Sequence, residues 1–178
     1  MHYYKWPYDS YLMIKIRKAL LNDIESIAKI GVKLIEHGDG IIKDSYPQNL
    51  KDYLFDKSKY EFSKTFIKNS IHSKNGLVII SEIDNIIVGF LQVSICKNFP
   101  FFKLKKYGKI QAIYVKKEYR KKGVSTMLLD EAMKWCKKKG LTRISLDVLP
   151  NNFHAIKVYE KWGFIPFLLE MRKDAYKF

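Results

Sequence analysis

Tyr119-Arg120-Lys121-Lys122-Gly123-Val124-Ser125 sets three basic side chains and a glycine between an apolar run that reads as a strand and an amphipathic run that reads as a helix. A turn at such a junction exposes successive backbone N–H groups, and the helix start adds unpaired donors at the positive end of its dipole. Together they make a cradle for an anion, and Gly123 lets the backbone come close to a phosphate. The plain alternative is a solvated charged turn capped by Ser125. The segment is neither a Walker A loop, which ends in Gly-Lys-Ser/Thr, nor a Gly-x-Gly-x-x-Gly fingerprint, so kinase-like and dinucleotide-binding readings are weakened. Further on, Leu146-Asp147-Val148-Leu149-Pro150-Asn151-Asn152 ends a strand in a Pro-Asn turn, and a helix follows carrying Ala155 and Tyr159 ahead of Trp162-Gly163-Phe164. Taken alone, Asn152 is a helix cap and Tyr159 an amphipathic core residue.

In this order and at this separation the two segments resemble the GCN5-related N-acetyltransferase (GNAT) family. That family's phosphate loop, Gln/Arg-x-x-Gly-x-Gly/Ala, is matched by Arg120, Gly123 and Ser125, with serine in place of the usual Gly or Ala. Its second signature, Asn-x-x-Ala-x-x-x-Tyr-x-x-x-Gly-Phe, is met by Asn152, Ala155, Tyr159, Gly163 and Phe164. The resemblance spans residues 14–173 and is motif-grade over 110–164. It implies an α/β (α+β) chain with a single-domain GNAT-like fold: a mixed, mostly antiparallel twisted sheet splayed in a V, helices on both faces, and acetyl-CoA as co-substrate in the V. By that likeness the backbone of Ile113, Tyr114 and Val115 bonds the pantetheine arm. Arg120, Lys121, Lys122, Gly123, Val124 and Ser125 hold the pyrophosphate, and Asn152 faces the cofactor arm.

The chemistry of such a site is attack by a neutral amine on a thioester. The amine must lose a proton, the carbonyl oxygen must meet fixed donors as charge develops, and the leaving thiolate must be protonated or stabilised. Tyr159 resembles the family's thiolate-side acid, and a backbone N–H near Val115 is the expected oxyanion donor. Many relatives carry Glu on the fourth strand where this chain has Gln111, and an amide does not accept a proton usefully. A water chain ending at Asp147 and an acceptor that arrives neutral both remain open, so no base is assigned. No metal is implied.

The elements that must position these groups are legible as patterns. Residues 12–17 alternate as a short strand. Asn22 or Asp23 caps a helix through Ile24, Ile27, Ala28, Val32 and Ile35, with Gly38 to stop it. Residues 39–60 read as loop with a short helix at most, and 61–72 as a weaker helix. Two apolar runs, 77–82 and 86–95, flank Ile83-Asp84-Asn85 as a hairpin. Residues 109–115 form a strand, 125–139 a helix ending at Gly140, and 141–148 a strand. A helix from Asn152 stops at Gly163, and 164–172 is a terminal strand region interrupted by Pro166. Residues 1–12 form an aromatic N-terminal arm and 13–178 a single N-acetyltransferase domain. Docking on the sheet edge or a homodimer contact would suit the arm.

Composition sets the outer bounds. The 178 residues suffice for one sizeable core. Lys+Arg 33 against Asp+Glu 18 gives a net charge of +15, which invites a phosphate-bearing partner without choosing one. Richness in Lys, Ile, Asn and Tyr makes part of that charge compositional. No apolar stretch is long enough to span a membrane, and no signal peptide is visible at the start. Cys96 and Cys136 lack disulfide or zinc spacing, so the cytoplasm is the expected compartment. The expected partners are CoA and a primary amine, from a small molecule or a peptide. Between Glu36 and Glu61 six acids face four lysines, a patch suited to a cationic amine or simply to solvated loop charge. The alternatives are a basic nucleic-acid-binding protein and an acetyltransferase acting on an RNA-linked amine. Net charge alone supports the first, with no RNA-recognition signature beside it.

Overall fold

Asp84 and Asn85 have φ of +50° and +62°, the left-handed pair that a two-residue hairpin turn requires. They join the two apolar runs that form the centre of the sheet. The computed structural model describes residues 2–5, 13–47, 52–54 and 58–173. Its elements are β1 (His2–Lys5), β2 (Met13–Lys18), α1 (Ile24–Ser45), α2 (Lys59–His72), β3 (Gly76–Ile83), β4 (Ile86–Lys97), β5 (Lys106–Val115), α3 (Val124–Lys138), β6 (Ile144–Leu146) and α4 (Phe153–Lys161). The strands lie in sequence order, β1 to β6, and every neighbouring pair is antiparallel except β5 with β6. That parallel pair needs a crossover, and α3 supplies it. Of the arm, His2–Lys5 pairs with β2 as the edge strand.

Both faces of the sheet are covered, which is why β3 and β4 read as continuous apolar runs. On one face Val78, Ile80 and Phe90 pack against Ile24, Ile27, Ala28 and Ile30 of α1 and Ile67 of α2. On the other, Leu77, Ile79, Leu91, Val93 and Ile110 pack against Leu128, Leu129, Ala132 and Cys136 of α3. Successive side chains of a strand point to opposite faces, so one strand feeds both cores. Gly31 lets α1 and α2 approach closely, since a Cβ there would lie 2.2 Å from the Ser63 Oγ. Among the described residues no helix is long and apolar enough to cross a membrane.

Three elements depart from expectation. First, α1 does not stop at Gly38 but runs through Gly38 and Gly40 to Ser45. A glycine inside a helix costs about 1 kcal/mol, and the apolar periodicity resumed by Ile41 and Ile42 outweighs it. Second, β6 holds three residues, not the eight of 141–148. Third, 164–173 contains no strand: Pro166 removes a ladder donor, and Ile165, Phe167, Leu168, Leu169 and Met171 are all exposed. Asp23 does take the N-cap position, yet its carboxylate accepts from the Leu20 N–H at 2.7 Å and makes no side-chain cap bond to the helix.

That carboxylate belongs to a network at the start of α1. Arg17 donates to both oxygens of Asp23, at 2.6 and 2.9 Å, and also bonds Glu82, which Lys15 approaches at 3.2 Å. The bond from Arg17 holds Asp23 below its ordinary pKa. Burial works against the charge of Glu82, but its bonds from Arg17 and Lys15 prevail and lower its pKa as well. Both depressions give stability that is complete above the unfolded values near ~4 and is lost as pH falls through the folded ones. Arg17→Met should therefore cost about 2 kcal/mol at pH 7, below the ~3–5 of a fully broken buried pair because Lys15 remains. It should also flatten the loss of stability between pH 4.5 and 3 (about the carboxylate range). Urea unfolding at both ends of that range checks it, and an undiminished acid slope in the variant would exclude this network as its source.

Candidate active site

β5 and β6 are paired only from Gly108↔Ile144 to Ile110↔Leu146. The cause lies at the next residue of β5. Gln92 faces Ala112 while Val93 faces Ile110, so Gln111 is an extra residue, a bulge. A bulge bends its strand and increases its twist, turning β5 away from its parallel neighbour. The predicted residues Ile113, Tyr114 and Val115 lie on this diverging end, paired on their other edge with Leu91, Phe90 and Gly89. Their outer edge has no strand partner among the described residues, the splay expected between these strands.

A short 3-10 turn, Lys117–Tyr119, leads from β5 into the basic loop. Gly123 has φ +72° and caps α3 with no side-chain bond, and Lys121 also lies in the left-handed region at φ +62°. The Met127 N–H makes a bond of 3.1 Å to the Gly123 carbonyl. The N–H groups of Val124, Ser125 and Thr126 thus stand at the helix start without intrahelical acceptors. Ser125 is the second helical residue, so it does not cap α3; Gly123 supplies the turn itself. Val124, 2% exposed, fixes the helix start in the core. Arg120 does more than add charge. Its Nε donates to the Val115 carbonyl at 3.0 Å and its guanidinium stands 5.1 Å from the Tyr114 ring centroid, tying the loop to the end of β5. Lys122 Nζ lies 5.7 Å from the Tyr119 ring, and Lys121 is exposed.

Asn152 caps α4, its Oδ1 accepting from the Ala155 N–H at 3.3 Å. The cap reading of this residue therefore holds, and its amide nitrogen remains a donor. Gly163 at φ +84° ends the helix. Tyr159 packs on Trp162 and Phe164, with ring centroids 5.7 and 6.2 Å apart. Trp162 Nε1 donates to Thr126 Oγ1 at 3.3 Å, which joins α4 to the first turn of α3. The motif tyrosine and the basic loop are thereby held by one pair of helices. Among the described residues the Tyr159 hydroxyl has no hydrogen-bond partner, and burial raises its pKa, so it keeps its proton. Asp147 is different: its exposed carboxylate is ion-paired with Lys109 Nζ at 2.7 Å. The loop donors, the left-handed Gly123 and the open edge of β5 fit a ligand with a diphosphate and an amide-bearing arm.

The opposite face of the diverging strand opens into a cavity of about 450 Å³ between α1 and α2. Leu34, Ile35, Ile42, Phe62 and Phe66 wall it, and Gln111, Ala112 and Leu149 border it at the strands. Asp39, one of the acids of the patch noted in the sequence, and Gln92, which sequence reading had left without a role, supply polar groups at 7% and 1% exposure. Of the described acids between Glu36 and Glu61, Asp39 alone lines this cavity. Glu36 pairs with Lys59 at 3.2 Å, and Asp56 lies outside the described residues. A larger hollow of about 660 Å³ lies at the β3–β4 turn. Its acids Asp23 and Glu82 are already held by Arg17, and it touches none of the diverging strand residues.

Residues 41–164 match the model of the acetyltransferase (GNAT) family. An N-alpha-acetyltransferase of Saccharolobus solfataricus is 29% identical over 154 residues, 84% of this chain and 78% of that protein. A spermidine N(1)-acetyltransferase of Thermoplasma acidophilum is 26% identical over 157 residues, 86% of this chain and 89% of that protein. In fold, the chain is similar to a predicted acetyltransferase of Clostridium acetobutylicum solved with acetyl-CoA, with a TM-score of 0.70 and 21% identity over 90% of this chain and 96% of that one.

Proposed function

The chain belongs to the GNAT acetyltransferase family and is an acetyl-CoA-dependent N-acetyltransferase, and from that premise we propose that residues 120–125 bind the coenzyme's diphosphate while a primary amine reaches the cleft from the α1–α2 side. The observation that carries the reading is the divergence of β5 from β6 directly beside the left-handed Gly123 at the start of α3. Acetyl-CoA supplies the activated acyl group, a thioester. The chain's own residues do the rest. Backbone donors from Gly123 to Thr126 hold the phosphates, with Lys121 and Lys122 adding screened charge. The backbone of Ile113, Tyr114 and Val115 aligns the arm of the coenzyme along the open strand edge, and the Asn152 amide nitrogen faces it. The Tyr159 hydroxyl, kept protonated by burial and without a hydrogen-bond partner among the described residues, gives its proton on the leaving-group side.

The basic net charge thus has a use that requires no nucleic acid, and the comparisons support the enzyme reading rather than a nucleic-acid-binding one. Thermal unfolding with acetyl-CoA, CoA, ATP and a short RNA separates these. At a hundredfold excess over Kd a native-state ligand adds about 2.7 kcal/mol, or about 5–10 °C for a chain of this size. CoA and acetyl-CoA should give that shift and ATP and RNA should not. A shift with ATP alone would exclude the assignment of this loop to the coenzyme.

A further inference from the structure

We propose that the tip of the β4–β5 hairpin, residues 98–105, docks on an anionic lipid surface, its phenylalanines entering the interface and the lysines around them meeting the headgroups. Phe99, Phe101 and Phe102 are 66%, 79% and 44% exposed. They stand together, Phe99 stacked on Phe101 with ring centroids 5.5 Å apart and Phe101 on Phe102 at 4.8 Å. They belong to neither core, and the exposed Pro100 sits between them. Apolar rings gathered at a hairpin tip mark a contact surface. The backbone beneath them suits an apolar layer. The Phe102 N–H donates to the Phe99 carbonyl at 3.1 Å, the Phe99 N–H to Asn98 Oδ1 at 3.2 Å, and Lys105 Nζ to the Pro100 carbonyl at 2.6 Å. These bonds pair backbone groups that would be costly to carry unpaired into an interface.

Charge says which interface. From Asn85 to Lys117 the chain has no Asp or Glu, and Lys97, Lys103, Lys105 and Lys106 are all exposed. Lys97 and Lys106 face each other across the ladder, a like-charge pair that costs stability until an anion lies over it. Two further segments bring charge to the same end of the sheet. Lys106 Nζ donates to the Lys139 carbonyl at the end of α3, and Lys139 Nζ to the Lys74 carbonyl between α2 and β3. The exposed Lys74, Lys137, Lys138 and Lys139 therefore lie beside the hairpin. Carbonyls hold such ammonium groups without neutralising them, and among the described residues none of these lysines is in a salt bridge. A layer of anionic headgroups meets all of them at once, each charge near the surface adding about fivefold to binding. A nucleic acid fits less well. Base stacking needs free ring faces, and Phe99 and Phe101 already cover one of each other's. Docking also leaves the enzyme site clear. β5 runs ~30 Å from the hairpin to its diverging end at residues 113–115, and α3 runs from the basic loop at its start to the lysines at its end. Such contact lies on a surface and needs no spanning segment.

Sedimentation of the full chain with lipid vesicles tests this. At low salt it should bind vesicles of phosphatidylcholine and phosphatidylglycerol about tenfold or more tightly than pure phosphatidylcholine ones, and high salt should remove that advantage. Phe99→Ser combined with Phe101→Ser should weaken binding to the anionic vesicles about tenfold or more, and so should Lys97→Gln combined with Lys103→Gln. All four side chains are exposed, so both double variants should keep the melting temperature of the parent and its response to CoA. Equal binding of anionic vesicles by the phenylalanine variant would make bulk charge the cause and overturn docking by the tip. No binding to anionic vesicles at low salt would overturn the proposal outright. Binding of a short single-stranded RNA through the same phenylalanines, without vesicle binding, would make the tip a nucleic-acid surface instead. None of these outcomes bears on the coenzyme assignment, which the CoA response tests separately.

Discussion

Gly123→Val is expected to weaken CoA binding about 100-fold, while Lys121→Ala weakens it about fivefold or less. Gly123 sits at φ +72° and ψ −3°, a conformation that costs an L-residue about 1–2 kcal/mol and a β-branched one more. Valine relieves that cost by leaving the left-handed region, and this turns the N–H groups of Val124 to Thr126 away from their common focus. Its side chain also occupies the space a phosphate would take. The helix itself should persist, because Val124, Leu128, Leu129 and Ala132 are buried in the core. Lys121 is left-handed too, at φ +62°, but alanine has the same preference and leaves the turn as it is. Only one exposed, salt-screened charge is lost. Calorimetry on both variants gives the ratio. Equal losses would mean that bulk positive charge, not the backbone, holds the phosphates.

The same two residues show what sequence alone could reach. A basic stretch between strand and helix, with a glycine at its end, was enough to place the turn that starts α3, because the requirement for a left-handed residue acts locally. The Asp84-Asn85 hairpin was legible for the same reason. The cavity was not, and the failure has one origin. Gly38 was taken as a helix stop, which left Asp39 among loop charges. Once α1 continues to Ser45, Ile35, Asp39 and Ile42 fall at i, i+4 and i+7, one face of the helix, and Asp39 becomes a carboxylate on an apolar stripe. The propensity of glycine against helix is a cost near 1 kcal/mol, small beside packing of the apolar face that runs through it. Gln92 was hidden differently. In a strand buried on both faces a lone polar residue does not break the pattern, and only its burial at 1% with an unpaired oxygen marks it. Nor does the residue string reveal the bulge at Gln111, since a bulge is a property of two strands in register and not of either alone. That bulge also explains why β6 is so short.

Tyr159→Phe should lower turnover by about 10²-fold, the lower end of what a general acid contributes, because a thiolate is a fair leaving group unaided. Acetyl-CoA affinity should stay within about threefold (~0.6 kcal/mol), since the aromatic ring that packs on Trp162 and Phe164 is kept. Stability gives a second, independent readout. The hydroxyl has no hydrogen-bond partner among the described residues, so its removal breaks no bond, and a partly buried hydroxyl without a partner is itself a cost. The melting temperature should therefore hold or rise slightly while turnover falls. A tyrosine that served packing alone would show neither the fall nor the split. The pH profile follows from the direction of the shift. Burial disfavours the phenolate and moves the pKa of Tyr159 upward, so the acid form persists past the ordinary value near ~10. Loss of the Tyr159 proton should therefore contribute no alkaline fall in kcat below about pH 10. An alkaline limb with a midpoint near ~8 that vanishes in Tyr159→Phe would contradict that shift, and turnover equal to the parent, with chemistry shown to limit the rate, would remove Tyr159 from the reaction.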